Sequence, residues 1–320
     1  MRRILFTPFL TLSLIVIITL KIYPQNSQKV VCITVDDLPF VTKNYINNDN
    51  TGKYITDKLL TAFRKYKVVT LGSVNSGKLI VNDIADSNRI KFLNQWLDSG
   101  MTLGNHTFAH KNYNNLFFSE FKYDILDGEL YLKDILAQKN LKLKYFRHPH
   151  LYRGDTREKA DSLQHFLDSL GYIIAPVTID NSDYVFSWAY EKALSAENDS
   201  LAKRIGGDYI SYMSDVLDYY ENQSIAILGY NIKQILLTHA DMLNADYMDN
   251  LLKMFSDKGY SFISIEEALK DKCYTECKDE FYKKPGGISW LHRWAYTMGK
   301  RGDFYKGEPE VPEYINELIK

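Results

Sequence analysis

Four apolar runs of this chain each end in residues of catalytic type, and that recurrence constrains the fold more than any other feature. Val30-Val31-Cys32-Ile33-Thr34-Val35 runs into Asp36-Asp37, and Met101-Thr102-Leu103-Gly104 leads to His106-Thr107-Phe108-Ala109-His110. Leu143-Lys144-Tyr145-Phe146 ends at Arg147-His148-Pro149-His150, and Gln234-Ile235-Leu236-Leu237-Thr238 ends at His239. Runs of this kind read as buried strands, the habit of parallel sheets. In barrels and open sheets of parallel strands, the site is built just beyond the carboxyl ends. One such ending is commonplace, but four in one chain point to a single shared site.

Helix-like stretches separate these strands, which predicts βα units and an α/β fold. They run over Thr56 to Lys65, Asp86 to Asp98 before Gly100, Ser119 to Lys139, Thr156 to Leu170 before Gly171, and Asp246 to Lys258 before Gly259. Further strands are expected at Lys67 to Leu71, Tyr172 to Thr178 and Phe262 to Ile265. From Phe186 to about Tyr230 the pattern is helical with no strand, so an inserted helical pair is expected there. About seven strands predict an irregular barrel of seven or eight βα units. No internal repeat interrupts the pattern.

The chain has 320 residues, 45% hydrophobic and 25% charged, an ordinary globular balance with ample material for a core. A formal net charge of −1 argues against nucleic acid as the main partner. Met1-Arg2-Arg3 followed by the apolar stretch Ile4 to Leu20 reads as a secretory signal or an N-terminal membrane anchor over residues 1–25. Export is therefore expected, with the catalytic domain, residues 29–270, outside the cytoplasmic membrane. Residues 271–320 form a C-terminal extension expected to pack on the barrel, with Trp290 and Trp294 on one helical face. Cys32 reads as a buried small hydrophobe, whereas Cys273 and Cys277 are either a local disulfide or free thiols.

His106 and His110 stand four apart, a spacing that places two imidazoles on one side of a helical turn, within reach of one divalent metal. Two histidines and a carboxylate are the usual three protein ligands of a catalytic zinc.

Thr34-Val35-Asp36-Asp37, His106-Thr107-Phe108-Ala109-His110, Phe146-Arg147-His148-Pro149 and Ile235-Leu236-Leu237-Thr238-His239 together resemble the ordered motifs of the polysaccharide deacetylases, the NodB-homology group or carbohydrate esterase family 4. The resemblance runs from about Val30 to Leu269. It implies an irregular (β/α)7-8 barrel of the NodB-homology type and hydrolysis of acetyl groups from an N- or O-acetylated polysaccharide or oligosaccharide. It also implies a divalent metal, zinc with cobalt as the alternative, held by Asp37, His106 and His110. Asp36, whose side chain diverges from its neighbour's in an extended segment, is then free to act as general base. His239 would protonate the leaving nitrogen, and Arg147 matches the arginine that pairs with the base. Asp180 and Asp183 resemble the motif whose acid orients the catalytic histidine. Asp180, nearer the strand end, is the residue expected to do so. The sequence departs from the family pattern at Leu38-Pro39, at Tyr184 where tryptophan is usual, and at His148 and His150. Two rival readings are a non-catalytic carbohydrate-binding protein on the same scaffold and a hydrolase of small cyclic amides.

Overall fold

The computed structural model describes residues 28–283 and 287–320, so the expected leader over residues 1–25 lies outside the described residues. In chain order, β1 (Val30–Leu38), α1 (Asp49–Tyr66), β2 (Leu71–Val74), a small hairpin of β3 (Ile80–Val81) and β4 (Ile84–Ala85), α2 (Ser87–Asp98) and β5 (Thr102–Asn105) come first. They are followed by α3 (Phe118–Ala137), β6 (Tyr145–Phe146), α4 (Arg157–Ser169) and β7 (Ile173–Ile174). Then come α5 (Asp183–Ser195), α6 (Asp199–Leu228), β8 (Gln234–His239), α7 (Met242–Asp257), β9 (Ser261–Phe262) and α8 (Ile265–Ala268).

The main sheet is parallel in the order β7-β6-β5-β2-β1-β8, and β9 pairs with the first residues of β1. Beyond β7 the chain swings to the opposite edge. The amides of Thr178 and Ile179 donate to the Ile235 carbonyl at 3.0 Å each, and Leu237 N–H donates to Ile179 O at 3.2 Å. That bridge curls the sheet into an irregular, nearly closed barrel, the architecture expected.

β1 shows why its sequence is continuously apolar. Cys32 packs in a layer with Leu71, Tyr145, Ala175 and Ile235 from the other strands, closed below by Ile265 and Ala268 of α8. Val31, Ile33 and Val35 join the large core that holds Leu59 of α1 and Leu252 of α7. A strand covered on both faces has no polar alternation to show. Alternation along β1 puts Thr34 and Asp36 on the same side as Cys32, directed at the site.

Local chemistry moves several element boundaries. Asn48 caps α1, accepting from Thr51 N–H, and Lys67 ends it in a left-handed conformation at φ 55°. That helix end takes up the residues expected to begin a strand at Lys67, so β2 starts at Leu71. Likewise the Ser264 side chain accepts from Glu267 N–H and starts α8, leaving β9 only two residues long. The expected helical insertion is α5 followed by α6.

The C-terminal extension forms α9 (Cys273–Glu276), α10 (Trp290–Thr297) and α11 (Glu313–Leu318). Trp290 N–H donates to Val177 O at 2.7 Å, and both Trp290 and Trp294 are buried. Asp279 ties this segment down by accepting from Arg293 Nε at 2.7 Å and pairing with Arg153. Cys273 and Cys277 are free thiols at the two ends of one helical turn. Among the described residues no helix is long and apolar enough to cross a membrane.

Candidate metal centre and active site

The ends of β1, β5, β6 and β8 converge on one cavity of about 590 Å³, which contains Asp36, Asp37, His106, His110 and His239 in its lining. Asp36 continues the inward alternation of β1. Asp37 would point away, but the register of β1 shifts between Val35 and Leu38, and Asp37 takes φ 70°. Aspartate tolerates this left-handed conformation better than most residues. The turn brings the second carboxylate into the same cleft as the first, with Lys78 Nζ donating to the Asp37 carbonyl at 3.0 Å.

His106 and His110 do not lie on a helical turn, which corrects the expectation from their spacing. Thr107 at φ 66° and His110 at φ 52° belong to an irregular loop after β5. Side chains satisfy its backbone: Asn105 Oδ1 accepts from Thr107 N–H at 2.8 Å, and Asp124 Oδ1 accepts from Ala109 N–H at 3.0 Å. Thr107 Oγ1 accepts from His110 N–H at 3.1 Å. α3 reaches this loop because position 128 is glycine, where a Cβ would stand 2.5 Å from Asn105 Oδ1.

The result is a set of donor atoms facing one another. His110 Nε2 and His106 Nε2 lie 3.7 Å and 3.9 Å from Asp37 Oδ1, and the three ligand atoms fall within 4.8 Å of one another. His106 Nδ1 is 2.8 Å from the Arg147 carbonyl, which places its proton there and leaves the Nε2 lone pair directed at Asp37. Asp37 Oδ1 is buried and accepts no hydrogen bond. An orphaned carboxylate oxygen facing two imidazole nitrogens is the donor set of a divalent metal site, so the residues fit the expected ion.

Electrostatics agree with that role. Burial lowers both imidazoles to about 3, keeping them neutral, the form that ligates. Burial alone would raise the Asp37 carboxyl, but the Lys78 ammonium and the neighbouring histidines hold it well below the usual range. Asp36 goes the other way, because burial outweighs the nearby Arg147 guanidinium. Arg147 Nε stands 3.8 Å from Asp36 Oδ1, and its Nη2 donates to Thr34 Oγ1 at 2.8 Å. The two aspartates thus share a cleft with opposed proton affinities.

On the facing wall, Asp183 holds His239, which corrects the expectation that Asp180 does so. His239 Nδ1 is 2.8 Å from Asp183 Oδ1, while Asp183 Oδ2 accepts from His239 N–H at 3.0 Å and from Asn244 Nδ2 at 2.9 Å. The cause is local. The Asn181 side chain bonds the Leu237 carbonyl and accepts from Asp183 N–H, so α5 starts beside the end of β8 with Asp183 first. Asp180 instead accepts from the Asn181 amide, and burial raises its carboxyl to about 7. Burial would lower His239, yet Asp183, Asp37 and Asp36 raise it to about 10, so the imidazole is protonated at neutral pH.

His150 joins the cleft with its ring centroid 4.3 Å from that of His110. His148 is buried with no hydrogen bond at either ring nitrogen and stacks on Trp290 at 6.3 Å. Three supporting residues escaped the sequence reading. Lys78 lies 3.6 Å from Asp37 Oδ1, Asn75 Nδ2 donates to His106 O at 2.6 Å, and Asn105 holds the histidine loop. Asn75 directly follows β2 and Asn105 closes β5, so the rule that found the acids and histidines would have found them.

Residues 24–165 match the family model for polysaccharide deacetylase. That stretch holds Asp36, Asp37, His106, His110 and Arg147 and stops short of Asp183 and His239, which the fold adds. No curated protein matches the sequence. Among solved structures, the chitin deacetylase from the fungal pathogen Colletotrichum lindemuthianum is 21% identical, over 77% of this chain and 90% of that one, with a TM-score of 0.51. A family 4 carbohydrate esterase pseudoenzyme from Bacillus anthracis is 17% identical over 77% and 67% of the two chains, TM-score 0.49. A peptidoglycan deacetylase from Bacillus subtilis is 19% identical over 77% and 94%, TM-score 0.45.

Proposed function

We propose, from the match of residues 24–165 to the polysaccharide deacetylase model and from the geometry of the cavity, that the protein removes acetyl groups from an N- or O-acetylated polysaccharide or oligosaccharide by metal-assisted hydrolysis. One observation carries this reading: the Asp37, His106 and His110 donor atoms meet in a cavity with an Arg147-paired Asp36 on one side and an Asp183-held His239 on the other. Asp37, His106 and His110 would hold the ion, which supplies charge to polarise the acetyl carbonyl and activate water. We propose zinc, since two imidazoles and one carboxylate with a position left for water suit it, and cobalt accepts the same donors.

Asp36, whose proton affinity burial raises, takes the proton from the attacking water as general base. Arg147 keeps that carboxylate oriented from the barrel interior. His239 enters the reaction protonated and gives its Nε2 proton to the departing nitrogen or oxygen, while Asp183 fixes its tautomer and stabilises the imidazolium. The acid and the base therefore come from adjacent strands, Asp36 opposite His239 in the pairing of β1 with β8.

Purified protein should release acetate from acetylated glycan fragments, lose that activity to a chelator and regain it with zinc or cobalt. Full activity in Asp37→Ala, or release of acetate by protein stripped of metal, would reject the mechanism. The non-catalytic reading predicts loss of one of these groups, and all are present. For the location, we propose export, supported by the basic start and apolar Ile4 to Leu20. Fractionation of cells expressing the full chain tests it. Recovery in the cytoplasm would reject it and restore the small cyclic amide alternative.

A further inference from the structure

The C-terminal extension grips the segment that follows β6, from Arg147 to Arg153, at three points. Trp290, whose N–H donates to the Val177 carbonyl, lays its ring along His148, with centroids 6.3 Å apart and planes at 23°. Gly287 sits so close to the His150 carbonyl that a Cβ would stand 2.3 Å from that oxygen. Asp279 pairs with Arg153 and accepts from Arg293 Nε at 2.7 Å, and the Arg293 guanidinium lies 5.5 Å from the Trp290 ring centroid. The gripped segment needs outside support. His148 is 2% exposed, and neither of its ring nitrogens has a hydrogen-bond partner. His150 and Leu151 take φ 54° and 55°, a left-handed conformation at two successive non-glycine residues. Such backbone persists only where its surroundings hold it. The same segment carries much of the site. The Arg147 guanidinium faces Asp36 at 3.8 Å, the Arg147 carbonyl meets His106 Nδ1 at 2.8 Å, and the His150 ring lies against His110.

We propose that the extension is a clamp on this segment, and that Trp290 and Gly287 are positioning residues for the metal donor His106 and the base Asp36. With His148 stacked on Trp290, the Arg147 carbonyl stays where the His106 Nδ1 proton needs it, and the Nε2 lone pair stays directed at Asp37. The same hold keeps the Arg147 guanidinium beside Asp36. Trp290 acts from behind the wall that His148 forms, and Gly287 sets the His150 backbone at the cavity rim. The extension lies beyond residues 24–165, which match the deacetylase model, so the clamp is separate from the motifs that mark the site. Its consequence for turnover rests on the deacetylase reading, whereas the hold on the segment belongs to the fold itself.

The test sets full-length Trp290→Ala, Trp290→Phe and Gly287→Ala beside Trp294→Ala, whose tryptophan shares the helix face but packs on Tyr274 in the main core. Hydrogen–deuterium exchange of the peptide spanning residues 145–153 is compared with that of α7 in the same protein. Trp290→Ala and Gly287→Ala should lose protection selectively in 145–153, and Trp290→Phe, which keeps a ring on His148, should regain most of it. Trp294→Ala should lose protection in both regions alike. In Trp290→Ala, zinc affinity by calorimetric titration should weaken about tenfold, and kcat for acetate release should fall about as much with KM nearly unchanged. Gly287→Ala lies on a partly exposed turn and should keep the fold, so it decides the matter if Trp290→Ala does not fold. Wild-type protection of 145–153 in the variants, or wild-type zinc affinity despite a loosened segment, overturns the proposal. If the wild type binds no zinc or releases no acetate, the deacetylase reading falls and exchange alone decides the clamp.

Discussion

At Asp36-Asp37 two neighbouring carboxylates share a cavity and hold their protons differently, which gives each a separate test. Asp37→Asn should lose bound metal, because a neutral amide replaces the one anionic donor facing His106 and His110. Asp36→Asn should keep its metal while turnover falls about 10²–10⁴-fold, the usual worth of a general base. Metal content measured beside rate checks both, and a reversed pattern would exchange their roles. Asp183 offers a second test through His239, whose affinity for its proton is raised to about 10. A raised imidazole is charged below that pH, so activity needing the acid falls as pH rises through it. Asp183→Asn removes the main partner, so the basic limb of the rate profile should move to lower pH, whereas Asp180→Asn should leave that limb nearer its place. Stability follows the same sign. The pairing contributes fully below the ordinary histidine value near 6.5 and fades as pH climbs toward 10. The gap in melting temperature between wild type and Asp183→Asn should therefore narrow from pH 6 to pH 10.

Among elements, the loop after β5 decides whether two histidines make a site. Its left-handed residues are kept in place by Asn105 and Asp124, and the close approach of α3 depends on Gly128. Asn105→Ala strands the Thr107 amide, so metal affinity should weaken about 10–100-fold, as for other groups that orient ligands from behind. Calorimetric titration of zinc into the variant checks this, and an unchanged affinity would show that Asp124 alone secures the loop. The HxxxH spacing marked two residues whose imidazoles do converge on Asp37, but for a partly wrong reason. Their imidazoles converge through backbone turns at Thr107 and His110, not through helical periodicity, and positive φ at non-glycine residues leaves little trace in a sequence. The misplacement of Asp180 for Asp183 has the same origin. Proximity to a strand end in sequence says nothing about where Asn181 will start the next helix.

For the whole molecule, the extension beyond Asp271 is part of the barrel's packing. Trp294 is 2% exposed and joins the main core, so Trp294→Ala should destabilise by about 3–5 kcal/mol, read as a lower denaturant midpoint. A variant as stable as wild type would show the extension to be an appendage. Metal should stabilise the intact chain by mass action, so adding chelator should lower the melting temperature of wild type and leave Asp37→Asn unmoved. The sequence by itself determined the strands, their order of catalytic endings and the α/β barrel, because strands buried on both faces must be apolar throughout and end where polar groups reach the site. It also marked Asp36, Asp37, His106, His110, Arg147 and His239, which interrupt those runs. Tertiary structure alone decided that Asp183 orients His239, that Lys78 lies beside Asp37, and that Trp188 of the insertion faces the same cavity. These residues sit on helices or loops whose local pattern is ordinary. Their meaning comes from the curl of the sheet, which carries the segment after Ile174 across to β8 and brings together residues far apart in the chain.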